Sequence, residues 1–542
     1  MMKNELMIKE KLIRALNDMG VTSISESDIE VLKTTNEAHG DLASNIAMKL
    51  ARVLHKSPLE IASELHTHID MDGLEKVEVK APGFINFFFA KDEFASAVKN
   101  ILNDELNYGC SKSKNTSILL EFVSVNPTGD MHLGHARGAA IGDSLARILT
   151  CAGYDVKKEY YVNDGGSQVL HLGESIKSRY FALFGKEIPM PEDGYYGPDI
   201  IDIAKTIKDE VGNKYLNDDE ETLHFFMERG VELELLKIKK DLKLFRVEFD
   251  IFTSEKKIRA SGLVEEVISK LKPYTYVQDG ALLLKTSEVY DEKDRVIIKS
   301  NGEYTYLLPD IAYHVDKFNR GYDKLIDLFG ADHHGYINRM KSALRLLGYD
   351  DSRLDIELTQ MVRILRGDKE VKLSKREGTA DTLRSLVEEV GVDACRYFFV
   401  SRAPSTHLDL NLDLMTTKNN TNPLYYASYA HARLCSVLNQ AEDIDYLNAT
   451  YSFADEAAIS LIKKLMEFND VVEEAAKSLA PHKMCAYVQK LAQLIHVFYT
   501  ECRIINKDDM ENSKSRLALC KASKIVLRKA LELIGVNAPE KM

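Results

Sequence analysis

The chain has 542 residues, and its 45% hydrophobic and 29% charged composition, with 29 Gly and 12 Pro, is that of a globular protein rather than a disordered, collagenous or fibrous one. At roughly 150 residues per domain it holds about three or four domains, and no run approaches the roughly 18 apolar residues of a membrane span. With 71 Lys and Arg against 84 Asp and Glu, the net charge of −13 excludes wholesale wrapping of nucleic acid while allowing a local basic face.

The opening MMKNELMIKEKLIRALNDMG places Leu12, Ile13, Leu16 and Met19 on one face, which predicts an amphipathic helix rather than a signal peptide and hence a cytoplasmic chain. Residues 1–110 read as a small α+β domain, ending in the period-two stretch VEVKAPGFINFFFA around a Pro82-Gly83 turn. SKSKNT (111–116) reads as a linker. Ile118 to Val123 is an apolar strand, HLGHARGAAIGDSLARIL a helix with Ile141, Leu145, Ile148 and Leu149 at helical spacing, and Tyr154 to Val162 a second strand. Such a strand–helix–strand unit opens a Rossmann-like parallel α/β domain, which we extend over 111–404.

Residues 165 to about 270 read as a helical insertion, clearest in DEETLHFFMERGVELELLKIKKDL. Strand signals return in ALLLKTSE, RVIIKS and KLIDLFG, and strand-to-helix corners follow KLIDLFG and MVRILRG. From 405 a polar stretch leads into an all-α bundle from Leu424 to Ile534, giving a third domain over 405–542. Seven cysteines, an odd number with no CxxC pair, suggest neither a disulfide framework nor a zinc ribbon, so reduced thiols are expected.

The strongest chemical signal is Asn126-Pro127-Thr128-Gly129-Asp130-Met131-His132-Leu133-Gly134-His135, at a strand end that opens a helix. Ligands of open α/β sheets sit at such ends, where a helix N-terminus favours phosphate. His132 and His135 face one side of the first turn and can bond phosphoryl oxygens, while Gly134 lets a base or ribose approach. The bland alternatives are capping or core histidines, or two zinc ligands lacking a clear third. A second signal is Lys372-Leu373-Ser374-Lys375-Arg376, within a segment 363–376 that carries six bases against two acids. Lysines on such a loop can neutralise a triphosphate in attack at its α-phosphorus; a solvated basic turn is the alternative.

HLGH followed by KLSKR resembles the two signatures of class I aminoacyl-tRNA synthetases. Together with EFVSVNPTGDMHLGHARGAAIGD, YYVNDGGSQ, YTYLLPDIAYHVDKF, GADHHGY, THLDLNLDL and NPLYYASYAHARL, the chain resembles bacterial-type arginyl-tRNA synthetases over nearly its whole length. Leu133, Leu373, Arg376, Asp130-Met131 and Gly165-Gly166-Ser167 depart mildly from the family's commonest wording.

The resemblance implies arginine activation by Mg-ATP, with Mg2+ as the cofactor. Transfer to the 2′ hydroxyl of the terminal adenosine of tRNA(Arg) follows, and activation that depends on bound tRNA is a further expectation. It implies catalytic roles for His132, His135, Lys372 and Lys375, and ATP contacts at Thr128, Gly134 and Ser374. The arginine guanidinium, with five fixed donors, calls for carboxylates and a flat partner; by resemblance these are Asp310 and Tyr306, with Glu255 secondary. A helix N-cap is the alternative for Asp310. Glu121, Asn126 and His334 would hold the amino acid's backbone groups, and Asp332-His333-His334 is read as a substrate wall rather than a metal cluster. No resident protein metal site is expected.

For tRNA, Phe84 and Asn86 would read a D-loop base and Tyr425 and Tyr429 the anticodon side, against the alternative of core packing. Residues 513–530 carry six bases and no acid, and Lys514, Lys521, Lys524 and Arg528 share a face suited to phosphates or merely solvated. A monomer that binds neither DNA nor membrane is expected. The competing readings are another class I synthetase, a small-molecule adenylyltransferase, a non-catalytic tRNA-binding relative and, last, a zinc hydrolase.

Overall fold

The computed structural model describes residues 2–34, 37–331, 335–373 and 381–542. Its centre is a five-stranded parallel sheet ordered Leu354–Thr359, Lys324–Gly330, Ser117–Phe122, Asp155–Val162, Ile251–Ser254. Ile118, Leu119, Leu120 and Phe122 are all buried, the continuous apolar run of a parallel strand covered on both faces. The chain builds outward from Ser117–Phe122 on one side, then crosses back to add Lys324–Gly330 on the other. Strand order therefore reverses between these two, and an open sheet takes its ligand at the carboxyl ends there.

Parallel register sets Glu159 beside Glu121 and Glu121 beside Asp327. Three acids thus form one row across the sheet, at 0%, 3% and 1% exposure. The helix Leu307–Asn319 supplies their partners from residues three apart, which share a face. Lys317 Nζ bonds Glu121 and lies 2.6 Å from Asp327, and His314 Nε2 lies 2.8 Å from Asp327. Arg320, which caps the helix, donates to both oxygens of Glu159 at 2.9 and 3.0 Å.

The N-terminal region folds as an antiparallel sheet ordered Val31–Lys33, Leu42–Ser44, Phe84–Phe89, Leu74–Lys80, flanked by helices such as Met2–Asp18 and Lys91–Asn103. The C-terminal region is helical, from Pro423–Asn439 through Glu456–Met466, Phe468–Lys477 and His482–Glu501 to Met510–Leu533. Between them the structure is mixed α/β, as expected. Among the described residues no helix is long and apolar enough to cross a membrane.

Four expectations need revision. The helices of the insertion, Ser167–Ala182, Pro198–Val211 and Glu220–Leu244, end at 244, and Ile251–Ser254 is already an edge strand of the central sheet. Four residues, IFTS, are too few to show a period. Past residue 404, the strand Leu408–Asn411 pairs in parallel with Val362–Arg366, so that polar stretch packs with the region before it. Cys110 and Cys151, 41 residues apart, are bonded with Cα atoms 4.5 Å apart, where reduced thiols were expected; the five other cysteines are free and buried. Finally, the basic face of Met510–Leu533 is largely engaged within the protein: Lys521 and Arg528 meet Glu105 at 3.4 and 3.1 Å, and Lys524 meets Glu540 at 3.8 Å.

Arg396, fully buried, ties three regions together. It donates to Asp143 of the helix Leu133–Cys151 at 2.7 Å, to the Phe245 carbonyl at 2.9 Å and to the Ile534 carbonyl at 3.1 Å. Gly535 makes room for it: φ there is +70°, and an added Cβ would lie 2.1 Å from the guanidinium. Arg396→Leu orphans these groups and should cost about 3–5 kcal/mol, read as a lowered urea unfolding midpoint. Lys205→Ala, which breaks an exposed pair with Asp202, should leave the midpoint in place.

Candidate active site

Strand Ser117–Phe122 ends in a sharp kink, where Val123 and Ser124 adopt φ of +71° and +41°. A β-branched residue rarely takes this conformation, and it persists where its surroundings over-determine it. Here the neighbouring strand does so. Ser124 Oγ accepts from Tyr161 N at 3.0 Å, the Ser124 carbonyl accepts from Asn163 at 3.1 Å, and the Val125 carbonyl from the Tyr160 hydroxyl at 2.9 Å. The kink delivers Asn126, exposed, and Thr128, half-buried, to the mouth of the switch point.

His132 is the N-cap of Leu133–Cys151, its Nδ1 accepting from Gly134 N at 3.1 Å and His135 N at 3.4 Å. The capping alternative and the phosphate role therefore coexist in one residue. An accepting Nδ1 leaves Nε2 as the donor of the neutral ring, facing away from the helix. Two of the helix's first N–H groups are thereby occupied by this ring rather than open to an anion. Gly134 serves the same contact, since a Cβ there would meet the His132 ring at 3.0 Å. The His135 ring stacks on it with centroids 3.4 Å apart. Burial, reinforced by His132, pushes His135 down to about 3, so at neutral pH it offers a hydrogen bond rather than a charge.

The second signature loop leaves the sheet at Lys372, which is exposed, and Leu373. Leu373 N donates to Asp381 at 2.6 Å, which draws the two ends of the loop together. Leu383 N donates to the Met131 carbonyl at 2.9 Å, and Thr382 forms a bridge with His132, which joins the two signatures directly. Ser374, Lys375 and His334 lie outside the described residues, as do Asp332 and His333.

Beside the acid row Asp310, Glu255, Tyr161 and Tyr336 form a cluster whose groups act on one another. Asp310 lies in the first turn of Leu307–Asn319, whose N-cap is Tyr306, so Asp310 is not itself the cap. Its carboxyl accepts from the Tyr336 hydroxyl at 3.4 Å. Burial, with Glu255 and Glu121 adding to it and His314 opposing, pushes Asp310 up to about 7. Glu255, 8% exposed, is bonded by Arg259 at 2.8 Å. Tyr161 stacks on Tyr313 with centroids 4.1 Å apart, and its buried hydroxyl has no hydrogen-bond partner among the described residues. Burial and the surrounding Glu255, Asp310 and Glu121 raise it well above the usual phenol range.

Two sequence assignments sit differently. Tyr306 is 80% exposed, so it is the Tyr336 side chain that lies against Asp310. Glu121 is already engaged, by Ser124 at 2.8 Å, Tyr313 at 2.9 Å and Lys317. Burial pushes Glu121 up against the pull of Lys317, while Lys317 and His314 outweigh burial at Asp327 and hold it at about 2. Tyr161, Tyr336, Lys317 and Asp327 were missed from sequence. Tyr161 lies within the quoted YYVNDGGSQ, Tyr336 closes GADHHGY and Lys317 lies in YTYLLPDIAYHVDKF, so the local text was in view but nothing in it separated these side chains from their neighbours.

Away from the centre, strand alternation sets Phe84, Asn86 and Phe88 on one face and Ile85, Phe87 and Phe89 in the core. Phe84 is exposed and Asn86 is buried beside it. In the helical bundle Tyr425 and Tyr429 lie parallel, 6.3 Å apart, beside a cavity of about 430 Å³ that Lys418 and Asn419 also line. Arg433 covers Tyr429 and Tyr499 at 5.0 and 4.3 Å.

Three family models match the chain: arginyl tRNA synthetase N terminal domain over 6–89, tRNA synthetases class I (R), catalytic domain over 97–399, and DALR anticodon binding domain over 427–542. An arginine–tRNA ligase of Shouchella clausii is 49% identical, over 94% of this chain and 93% of its own, and one of Bacillus subtilis is 46% identical over 99% and 98%. The structure of Thermus thermophilus arginyl-tRNA synthetase superposes with a TM-score of 0.75 at 22% identity, covering 99% of this chain and 100% of that one, which shows the shared fold. With more than half its length in one catalytic model and near-half identity to these ligases, the chain belongs to the arginyl-tRNA synthetase family of class I.

Proposed function

We propose that the cluster around Asp310 holds the guanidinium of L-arginine, and that the two signature loops hold ATP so that the amino acid's carboxylate faces its α-phosphate. The reaction is arginine–tRNA ligation. Arginine and ATP give arginyl-adenylate and pyrophosphate, and the arginyl group then passes to the 3′-terminal adenosine of tRNA(Arg), releasing AMP. Such chemistry asks for positioning and charge neutralisation more than for covalent help.

The observation that carries the pocket assignment is the raised carboxyl of Asp310 beside Glu255 and the unpartnered Tyr161 hydroxyl. A guanidinium supplies the cation and the flat fork of donors that this cluster suits. Tyr161 and Tyr336 join Asp310 and Glu255 as its walls, and Tyr306 stands at the rim. Asn126 is placed to meet the amino acid's backbone groups, helped by His334. Glu121, spent on Lys317 and Tyr313, shapes the floor.

His132 and His135, as neutral donors, meet the phosphates together with Thr128, and Gly134 lies against the nucleotide. Lys372 and Lys375, with Ser374, draw off the pyrophosphate. Mg2+ enters on the ATP oxygens, the usual mode for this ion, and supplies charge neutralisation there. Phe84 with Asn86, and Tyr425 with Tyr429, offer stacking faces and an amide to unpaired tRNA bases. A cytoplasmic monomer completes the proposal, on family resemblance alone.

Charging of total bacterial tRNA with each amino acid in turn tests the function: arginine alone should give stable product, strongly reduced in Lys375→Ala. Charging by a different amino acid would break the pocket assignment. Only ionised Asp310 attracts a guanidinium, and its raised value near 7 means that arginine affinity should be lost as pH falls through 7. The loss should approach tenfold per pH unit below it, measured by KM between pH 5.5 and 8. Asp310→Asn should flatten that profile and raise KM for arginine about a hundredfold at pH 8.

A further inference from the structure

One helix of the insertion reaches the first signature loop and the helix that follows the second. Lys237 and Asp241 lie four residues apart on Glu220–Leu244 and so share a face. Lys237 Nζ stands 2.6 Å from Asp130, two residues before His132. Asp241 bonds the guanidinium of Arg384, in the first turn of the helix Leu383–Val390 that follows the second loop. The backbone contacts between Met131 and Leu383 and between His132 and Thr382 join the two loops at one place. A single join fixes position but not inclination, whereas two ion pairs to one 25-residue helix hold both flanks to a rigid rod.

The surroundings of Lys237 are built to keep the pair intact. Glu234, one turn earlier, is 0% exposed and lies against Asp199, and burial with Asp199 and Asp130, opposed by Lys237, pushes its carboxyl up to about 7. Glu234, Asp199 and Asp130 all act on Lys237, and together with the Asp130 bond they outweigh burial and keep its ammonium charged. Asp199 also approaches the signature loop itself, 4.0 Å from the Cβ position of Gly129. Partly exposed pairs of this kind, 32% and 44% exposed for Lys237 and Asp130, add little to stability. Their effect belongs to geometry, where misplacing reacting groups by about 1 Å can cost on the order of a hundredfold in rate.

We propose that Asp130 and Lys237 are positioning residues for ATP: with Asp241 and Arg384 they fasten the insertion helix to the first signature loop and to the helix that follows the second, and so fix His132 and His135 relative to Leu383–Val390. The inference rests on the reading that ATP lies between those loops. Neither Asp130 nor Lys237 is required to touch the nucleotide. The insertion thereby becomes part of the ATP site without contributing a ligand to it.

The test is tRNA charging by full-length Lys237→Met, Asp130→Asn, the double variant and the exchanged pair Asp130→Lys/Lys237→Asp. Each single variant should raise KM for ATP roughly tenfold while leaving KM for arginine and the melting temperature in place. The double variant should be no worse than either single one, because both remove the same contact. The exchanged pair should recover part of the loss. A KM for ATP within about twofold of the parent in both singles, losses that multiply in the double, or lowered melting temperatures that account for the loss would overturn the proposal. Lys375→Ala separates the two layers. Intact charging in that variant overturns the ATP-site reading itself, whereas lost charging there alongside parent-like latch variants overturns only the latch.

Discussion

Three carboxylates side by side in the middle of a sheet are the constraint around which this catalytic region is arranged. Register alone places Glu159, Glu121 and Asp327 in a row, and each would be costly in a low-dielectric interior without a partner. The helix Leu307–Asn319 can supply those partners only if His314, Lys317 and Arg320 face the row. That requirement fixes the helix's rotation, and with it the place of Asp310 and of Tyr313, on which Tyr161 stacks. The cluster that we assign to arginine is thus a consequence of neutralising the row. Lys317 and Arg320 are consumed by the sheet, and Asp310, unlike Glu255 with its Arg259, is left to a substrate cation.

The phosphate side follows a different logic. His132 accepts two backbone N–H groups, and His135 is kept uncharged by burial. On the proposed reading the first signature contributes oriented neutral donors, and positive charge is left to the lysine loop. Such a division keeps the histidines fixed whether or not phosphate is bound and leaves charge neutralisation to groups on long side chains, which fits a reaction whose negative charge moves toward the departing pyrophosphate.

Much of the architecture was legible because its signals are local. The strand, loop and helix from Ile118 to Leu149 carry a period, a glycine-rich corner and two histidines in one stretch, and the run from Leu424 onward keeps helical spacing throughout. What was hidden depended on partners far apart in the chain. Lys317 meets Glu121 across 196 residues and Asp241 meets Arg384 across 143, and no periodicity announces such pairs. The strand Ile251–Ser254 was invisible for want of length. The basic face of Met510–Leu533 was misjudged because Glu105, its partner, lies in another domain. Cys110 and Cys151 were read as unrelated thiols for the same reason.

The central claim is that the cluster around Asp310 selects its substrate by charge. Binding of L-arginine and of L-citrulline, which keeps the shape but replaces the guanidinium with a neutral urea, measures this most directly when followed by calorimetry at pH 8 in the presence of tRNA. Arginine should bind and citrulline should be weaker by at least about a hundredfold, the cost of leaving buried carboxylates without their cation. Equal affinity for the two would contradict the account, because a pocket governed by the acids of Asp310 and Glu255 cannot be indifferent to the charge.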